Sequence, residues 1–197
     1  MLSRMRKEKA ELLVEAFPTR KQYTSVTALS QQLQQAALSG CEEGLDAPVK
    51  RFLSDCLRKA HADEGTLWIA EPKGDRLRPI FNNGNQPEDF LRKVRQPLDR
   101  GVISMVYQSG QSFCENEVFK NASHDDSVDE TLDQVTAAMI AVPVYLAGQA
   151  CGVLSCVRLG EGEFEASHLI EIQFAATLLE RLLDWALLQQ VMEQALG

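Results

Sequence analysis

The chain has 197 residues and a formal charge of −8, with 45% hydrophobic and 24% charged residues. That length supplies one hydrophobic core plus a few peripheral helices without a disulfide or metal staple, and that composition excludes a disordered chain. The acidic balance, with a pI near 5.0, removes the positive field that holds phosphate backbones and anionic lipid, so neither nucleic acid nor a membrane surface is an expected partner.

Residues 1–16 read as a helix that begins with Arg4, Arg6, Lys7 and Lys9. Glu8, Glu11 and Glu15 interrupt the apolar run that a signal peptide requires. No window of the chain approaches the ~20 apolar residues that span a bilayer, and a cytoplasmic protein is expected. Pro18 interrupts the first helix, and a second follows with Val26, Leu29 and Leu33 on a narrow apolar stripe. Gly40 and Gly44 end it, and Pro48 opens a third helix whose Val49, Phe52, Leu53, Cys56 and Leu57 form a broad core-facing side.

Beyond Ala60 the hydrophobic period changes. Residues 65–70 and 77–81 read as strands around the turn Pro72-Lys73-Gly74-Asp75, with Thr66, Trp68 and Ala70 on one face and Leu67 and Ile69 on the other. Residues 88–94 fit a short helix, 97–110 an amphipathic segment and 112–115 a short strand. Residues 138–146 and 151–159 flank Ala147-Gly148-Gln149-Ala150 as a β-hairpin. From 165 to 196 the pattern is one long helix with two apolar stripes: Ile172, Ala176, Leu179 and Leu183, and Ile170, Phe174, Leu178, Leu182, Trp185, Leu188 and Met192. Two stripes need two partners, the sheet for one and a second subunit or the N-terminal helices for the other. The fold class is α+β, an antiparallel sheet with helices packed on one face and long N- and C-terminal helices.

Five cysteines, Cys41, Cys56, Cys114, Cys151 and Cys156, form no ligand spacing and read as reduced packing residues of a reducing compartment. Cys151 and Cys156 have opposite parity in one strand, which places them on opposite faces unless a bulge intervenes. The run Asp125, Asp126, Asp129, Glu130, Asp133 reads as a solvated acidic face, with a loose cation site as the alternative; it lacks the glycine and ligand alternation of an EF-hand. No phosphate loop, nucleophile elbow or zinc-protease motif occurs.

At the hairpin a resemblance to a known family emerges. Met139-Ile140-Ala141-Val142-Pro143-Val144, Gly148 and Gly152-Val153-Leu154 are similar to the hairpin signature of GAF domains. Asp63-Glu64-Gly65-Thr66-Leu67-Trp68 resembles the family's first strand, Pro97-Leu98-Asp99-Arg100-Gly101-Val102-Ile103 its middle helix opening, and Phe164 its closing segment. The resemblance covers residues 47–188, leaving 1–46 as an N-terminal helical segment for dimerisation or linkage and 189–197 as the end of a signalling helix.

The resemblance implies a pocket on the sheet face opposite the terminal helices, with Trp68, Phe81, Ile103, Phe113, Cys114, Asn116, His124 and Met139 as candidate lining. Trp68 fits either ring stacking or core packing, and Asn116 either ligand fixing or a turn. His124 fits a lid contact to an anion, an axial haem ligand or a solvated loop. His124 is followed by Asp125, no Cys-His pair exists to attach a bilin, and Cys114 stands without the neighbouring cysteines of the free methionine-sulfoxide reductase branch. The expectation is a non-enzymatic sensory or regulatory domain that binds a small molecule and acts as a homodimer through its N- and C-terminal helices. The ligand and any cofactor stay unidentified. The alternatives are a ligandless dimerisation or protein-interaction module and a thiol-dependent reductase.

Overall fold

The longest alternating run of the chain forms the centre of the sheet. In the computed structural model, which describes residues 47–71, 75–121, 128–129 and 134–196, β5 (Ala138–Leu146) and β6 (Gln149–Arg158) pair antiparallel from Ala138↔Arg158 to Leu146↔Gln149. The turn is tighter than the four residues expected: Ala147 and Gly148 alone close it, both at positive φ (51° and 76°). This mirror-image turn matches the twist of the strands it joins.

Before β5 in the chain come α1 (Ala47–Lys59), β1 (Glu64–Ala70), β2 (Arg76–Asn82), α2 (Pro87–Lys93), β3 (Gln96–Pro97), α3 (Val102–Ser109), β4 (Phe113–Glu115) and a 3-10 turn at Val118–Lys120. After β6 comes α4 (Ala166–Leu196). The six strands run in the order β3-β2-β1-β6-β5-β4 with every described pairing antiparallel. The short β3 and the 3-10 turn have no counterpart in the sequence reading. The two N-terminal helices expected within residues 1–46 lie outside the described residues, as does Cys41.

One face of the sheet is dry. Leu53 and Leu57 from α1 and Ile172, Ala176, Leu179 and Leu183 from α4 close on Leu67, Ile69, Ile140, Val142 and Leu154. Spacings of three and four on α4 meet the period of two on the strands, so both patterns are satisfied at once. The second stripe of α4 is divided: Ile170, Phe174, Trp185, Leu188 and Met192 are exposed, Phe174 to 58%, whereas Leu178 and Leu182 are half-buried and Leu182 packs against the helix-side core. Two carboxylates also bind α4 to the hairpin. Glu180 Oε1 accepts the Tyr145 N–H at 3.1 Å, and Asp184 Oδ1 accepts the Ala147 N–H at 2.8 Å.

Two bulges rearrange the expected faces. Between Leu67↔Phe81 and Trp68↔Pro79 the register skips Ile80. Residues after the skip change parity, so Phe81 lies opposite Leu67 in the helix-side core and not in the pocket. A second skip, between Val144↔Gly152 and Tyr145↔Ala150, leaves Cys151 as the extra residue. Cys151 and Cys156 therefore both pack against the helix-side core, contrary to simple parity.

Candidate functional site

The opposite face of the sheet is covered by α2, α3 and the 3-10 turn. Trp68, Leu77, Met139, Ala141 and Val153 point up from the strands towards Phe90, Val94, Val102, Ile103 and Val106. This layer does not close completely. A cavity of about 60 Å³ lies between Trp68, Phe90, Val102, Ile103, Val128 and Met139, and a second of about 110 Å³ adjoins it among Asn82, Asn85, Gln86 and Gln134. Glu64, Asn82, Phe90 and Gln134 line both. The first chamber is apolar and the second polar, an arrangement suited to an amphiphilic small molecule.

The aromatic wall is rigid. Trp68 and Phe90 meet edge-to-face with centroids 5.7 Å apart, and Trp68 Nε1 donates to Ser155 Oγ across the β1–β6 pair at 2.9 Å. Asn82 Nδ2 donates to Thr66 Oγ1 at 3.0 Å, while Asn82 Oδ1 accepts the Gly84 N–H at 2.8 Å. Gln96 Nε2 donates to the carbonyl of Arg100 at 2.9 Å and lies 3.4 Å from that of Pro97. Asp129 is buried: its carboxylate accepts the Thr136 N–H at 2.8 Å and the Thr136 hydroxyl at 2.7 Å. The solvated acidic face expected for Asp129 is thus corrected, because this side chain satisfies backbone that folds inward.

Glu64 opens β1 with only 8% of its surface exposed. Burial pushes its carboxyl above the ordinary range; the N–H of Asn85 opposes that, and the charges of Asp63 and Asp129 add to it. A Cβ placed on Gly84 would lie 2.5 Å from the Glu64 carboxyl, so the absence of a side chain there makes room for the carboxylate.

Of the candidate residues, the structure brings Trp68, Ile103 and Met139 into the cavity wall. Phe113 faces the same side, opposite Ala141, but packs against the core beside the cavity and does not line it. Cys114 alternates to the other face, opposite Ile140, and does not line the cavity. Burial and the charge of Glu115 raise its thiol, and burial pushes Cys156 up to about 12. Asn116 is structural: it accepts the Phe164 N–H at 2.8 Å and donates to the Phe164 carbonyl at 3.1 Å, pinning the segment before α4. His124 lies outside the described residues.

Glu64, Asn82, Gln96, Asp129, Thr136 and Ser155 were not among the candidates. A usable signal existed for the first: one more residue of strand puts Glu64 on the face of Thr66 and Trp68.

No protein-family model matches the sequence, and no curated protein matches it. Solved structures do match in fold. The GAF domain of a phosphoenolpyruvate-protein phosphotransferase from Coxiella burnetii superposes with a TM-score of 0.62 at 15% identity, covering 88% of this chain and 98% of that one. The chain has the GAF fold. The GAF-B domain of DevS from Mycobacterium smegmatis matches at 0.59 and 16% identity over 74% of this chain and 98% of that one. A free methionine-R-sulfoxide reductase from Neisseria meningitidis, solved with its substrate, matches at 0.54 and 15% identity over 86% and 95%. This fold therefore occurs in a GAF domain of a phosphotransferase, in one of DevS and in a sulfoxide reductase alike, and identities this low carry the architecture alone.

Proposed function

We propose that this GAF-fold chain is a sensory or regulatory module that binds a small molecule between the sheet and the α2–α3 layer and acts as a homodimer through its terminal helices. The observation that carries the reading is the cavity's mechanical connection to α4. Tyr145 Oη donates to the Gly110 carbonyl at the end of α3 at 3.2 Å, and the same residue's N–H is held by Glu180 of α4. Gln173 of α4 donates to Ser112 Oγ at 3.1 Å, and Asn116 holds the chain just before α4. A ligand that moves α3 therefore has a bonded route to α4, and differential affinity for two α4 positions turns occupancy into a signal. The exposed residues of the stripe from Ile170 to Met192 support pairing of two copies along α4.

Thiol catalysis has less support. Cys114 faces away from the cavity, and a thiol held near 12, like that of Cys156, carries almost no thiolate at neutral pH. The small size of the apolar chamber favours the ligandless dimerisation module as the second reading. Free Cys56, Cys114, Cys151 and Cys156 fit a reducing, cytoplasmic setting. Among the described residues no helix is long and apolar enough to cross a membrane.

Native mass spectrometry of gently purified protein, set against its denatured mass, tests the reading. The expected species is a dimer carrying a reproducible non-covalent adduct. A monomer at tens of micromolar rejects helix-mediated pairing, and a clean apo-dimer moves the conclusion to the ligandless module.

A further inference from the structure

Several hydrogen-bond donors on the walls of the cavity are spent on the protein itself. The single N–H of Trp68 goes to Ser155, Gln96 to backbone carbonyls, the Thr136 hydroxyl to Asp129, and Asn82 to Thr66. The charged group at the junction of the two chambers is the carboxylate of Glu64, with the amides of Asn85, Gln86 and Gln134 as neutral polar groups of the second chamber. Among the described lining residues of both chambers there is no Lys, Arg or His, whereas Glu64 and Asp129 both carry carboxylates.

An anionic ligand would enter against these carboxylates with no cation on the described walls to receive it, so its charge would be desolvated unpaired. A cation bearing N–H groups would instead form charge-assisted bonds with a carboxylate already stripped of water, where such bonds are strongest. Gly84 leaves room for that carboxylate, and Trp68 and Phe90, set edge-to-face, line the same cavity. A bare divalent ion is a poorer fit, since no group of three or more His, Cys, Asp or Glu gathers among the described residues.

We infer that the cavity takes a small organic cation, a single ring or compact apolar body bearing an amine or amidine, with the ring against Trp68 and Phe90 and the charged nitrogen on Glu64. This rests on reading the cavity as a ligand site, and it adds the charge and size of the occupant.

Three isosteric probes test it: benzamidine, benzamide and benzoate share one ring and differ in charge. Binding is followed by the tryptophan emission of the full-length parent protein, to which Trp68 of the cavity wall contributes. Benzamidine is expected to change that emission saturably, to bind at least roughly tenfold more tightly than benzamide, and to leave benzoate without effect. Glu64→Gln is expected to bring benzamidine down to the affinity of benzamide. The charge series on the parent protein needs no Glu64 variant, so a folding defect in that variant does not remove the test. Benzoate or benzamide binding as well as benzamidine overturns the cation assignment and leaves the cavity standing as a site. Undiminished benzamidine binding by a folded Glu64→Gln protein overturns the role of Glu64. Silence of all three probes up to their solubility overturns both the cation assignment and the ligand-binding reading.

Discussion

The two faces of one sheet are built to opposite specifications. On the helix side, alternate residues of β1, β5 and β6 meet α1 and α4 in a layer whose largest side chains, among them Leu53, Leu154 and Leu179, have no exposed surface. On the other side, the intervening residues of the same strands include Thr66, Trp68, Met139 and Ser155, and the layer above them stops short of closing. Alternation makes this division possible, because a strand can place every second residue in a closed core and the others under a partly open layer. Polar groups on the cavity face, such as Trp68 and Ser155 or Asn82 and Thr66, are bonded to each other, so the face stays ordered without being filled.

Deleting volume on each face measures that difference most directly. Leu179→Ala removes a fully buried side chain from a closed layer, and a loss of roughly 3–5 kcal/mol is expected in urea unfolding. Met139→Ala enlarges a space that already exists, so its cost is expected nearer ~2 kcal/mol. Equal losses would mean that the cavity face is as tightly packed as the helix face.

Glu64→Gln should move the other way. Because burial raises the native carboxyl, the folded chain holds its proton more tightly than the unfolded chain. The contribution of Glu64 to stability is then greatest below the ordinary value of 4.5 and is lost as pH rises through the raised native value. The glutamine variant avoids that loss. It is expected to be more stable than the parent at neutral pH, with the gap closing on acidification. Urea midpoints across that range decide it, and a glutamine variant less stable at neutral pH would show that the charge is compensated in the free protein.

The smallest effect belongs to the hairpin that connects the faces. Ala147 pays the cost of a left-handed conformation in a turn that favours asparagine. Ala147→Asn is expected to raise stability by ~0.5–1 kcal/mol, read as a higher thermal midpoint. A fall instead would show that the Asp184 contact to the Ala147 N–H depends on the alanine.

Much of this architecture was legible before any coordinates. The 138–158 hairpin announces itself by long alternation around a glycine turn, and α4 by two stripes at helical spacing. Trp68, Ile103 and Met139 line the cavity. The errors have a common origin in parity. Phe81 moved because one skipped residue reverses every face after it, and Cys151 joined Cys156 on one side for the same reason. Cys114 was placed by the segment it occupies, whereas its register opposite Ile140 sends it to the helix side.

The sequence by itself determined the longer described elements, their order and the apolar stripes, because periodicity and turn chemistry act over a few neighbouring residues. Only the tertiary structure decided which polar residues share the cavity. Glu64, Asn82, Asp129, Thr136 and Ser155 come from separate segments, and their burial is tolerated only through hydrogen bonds that form once the strands are paired and the chain after them has folded back over the sheet.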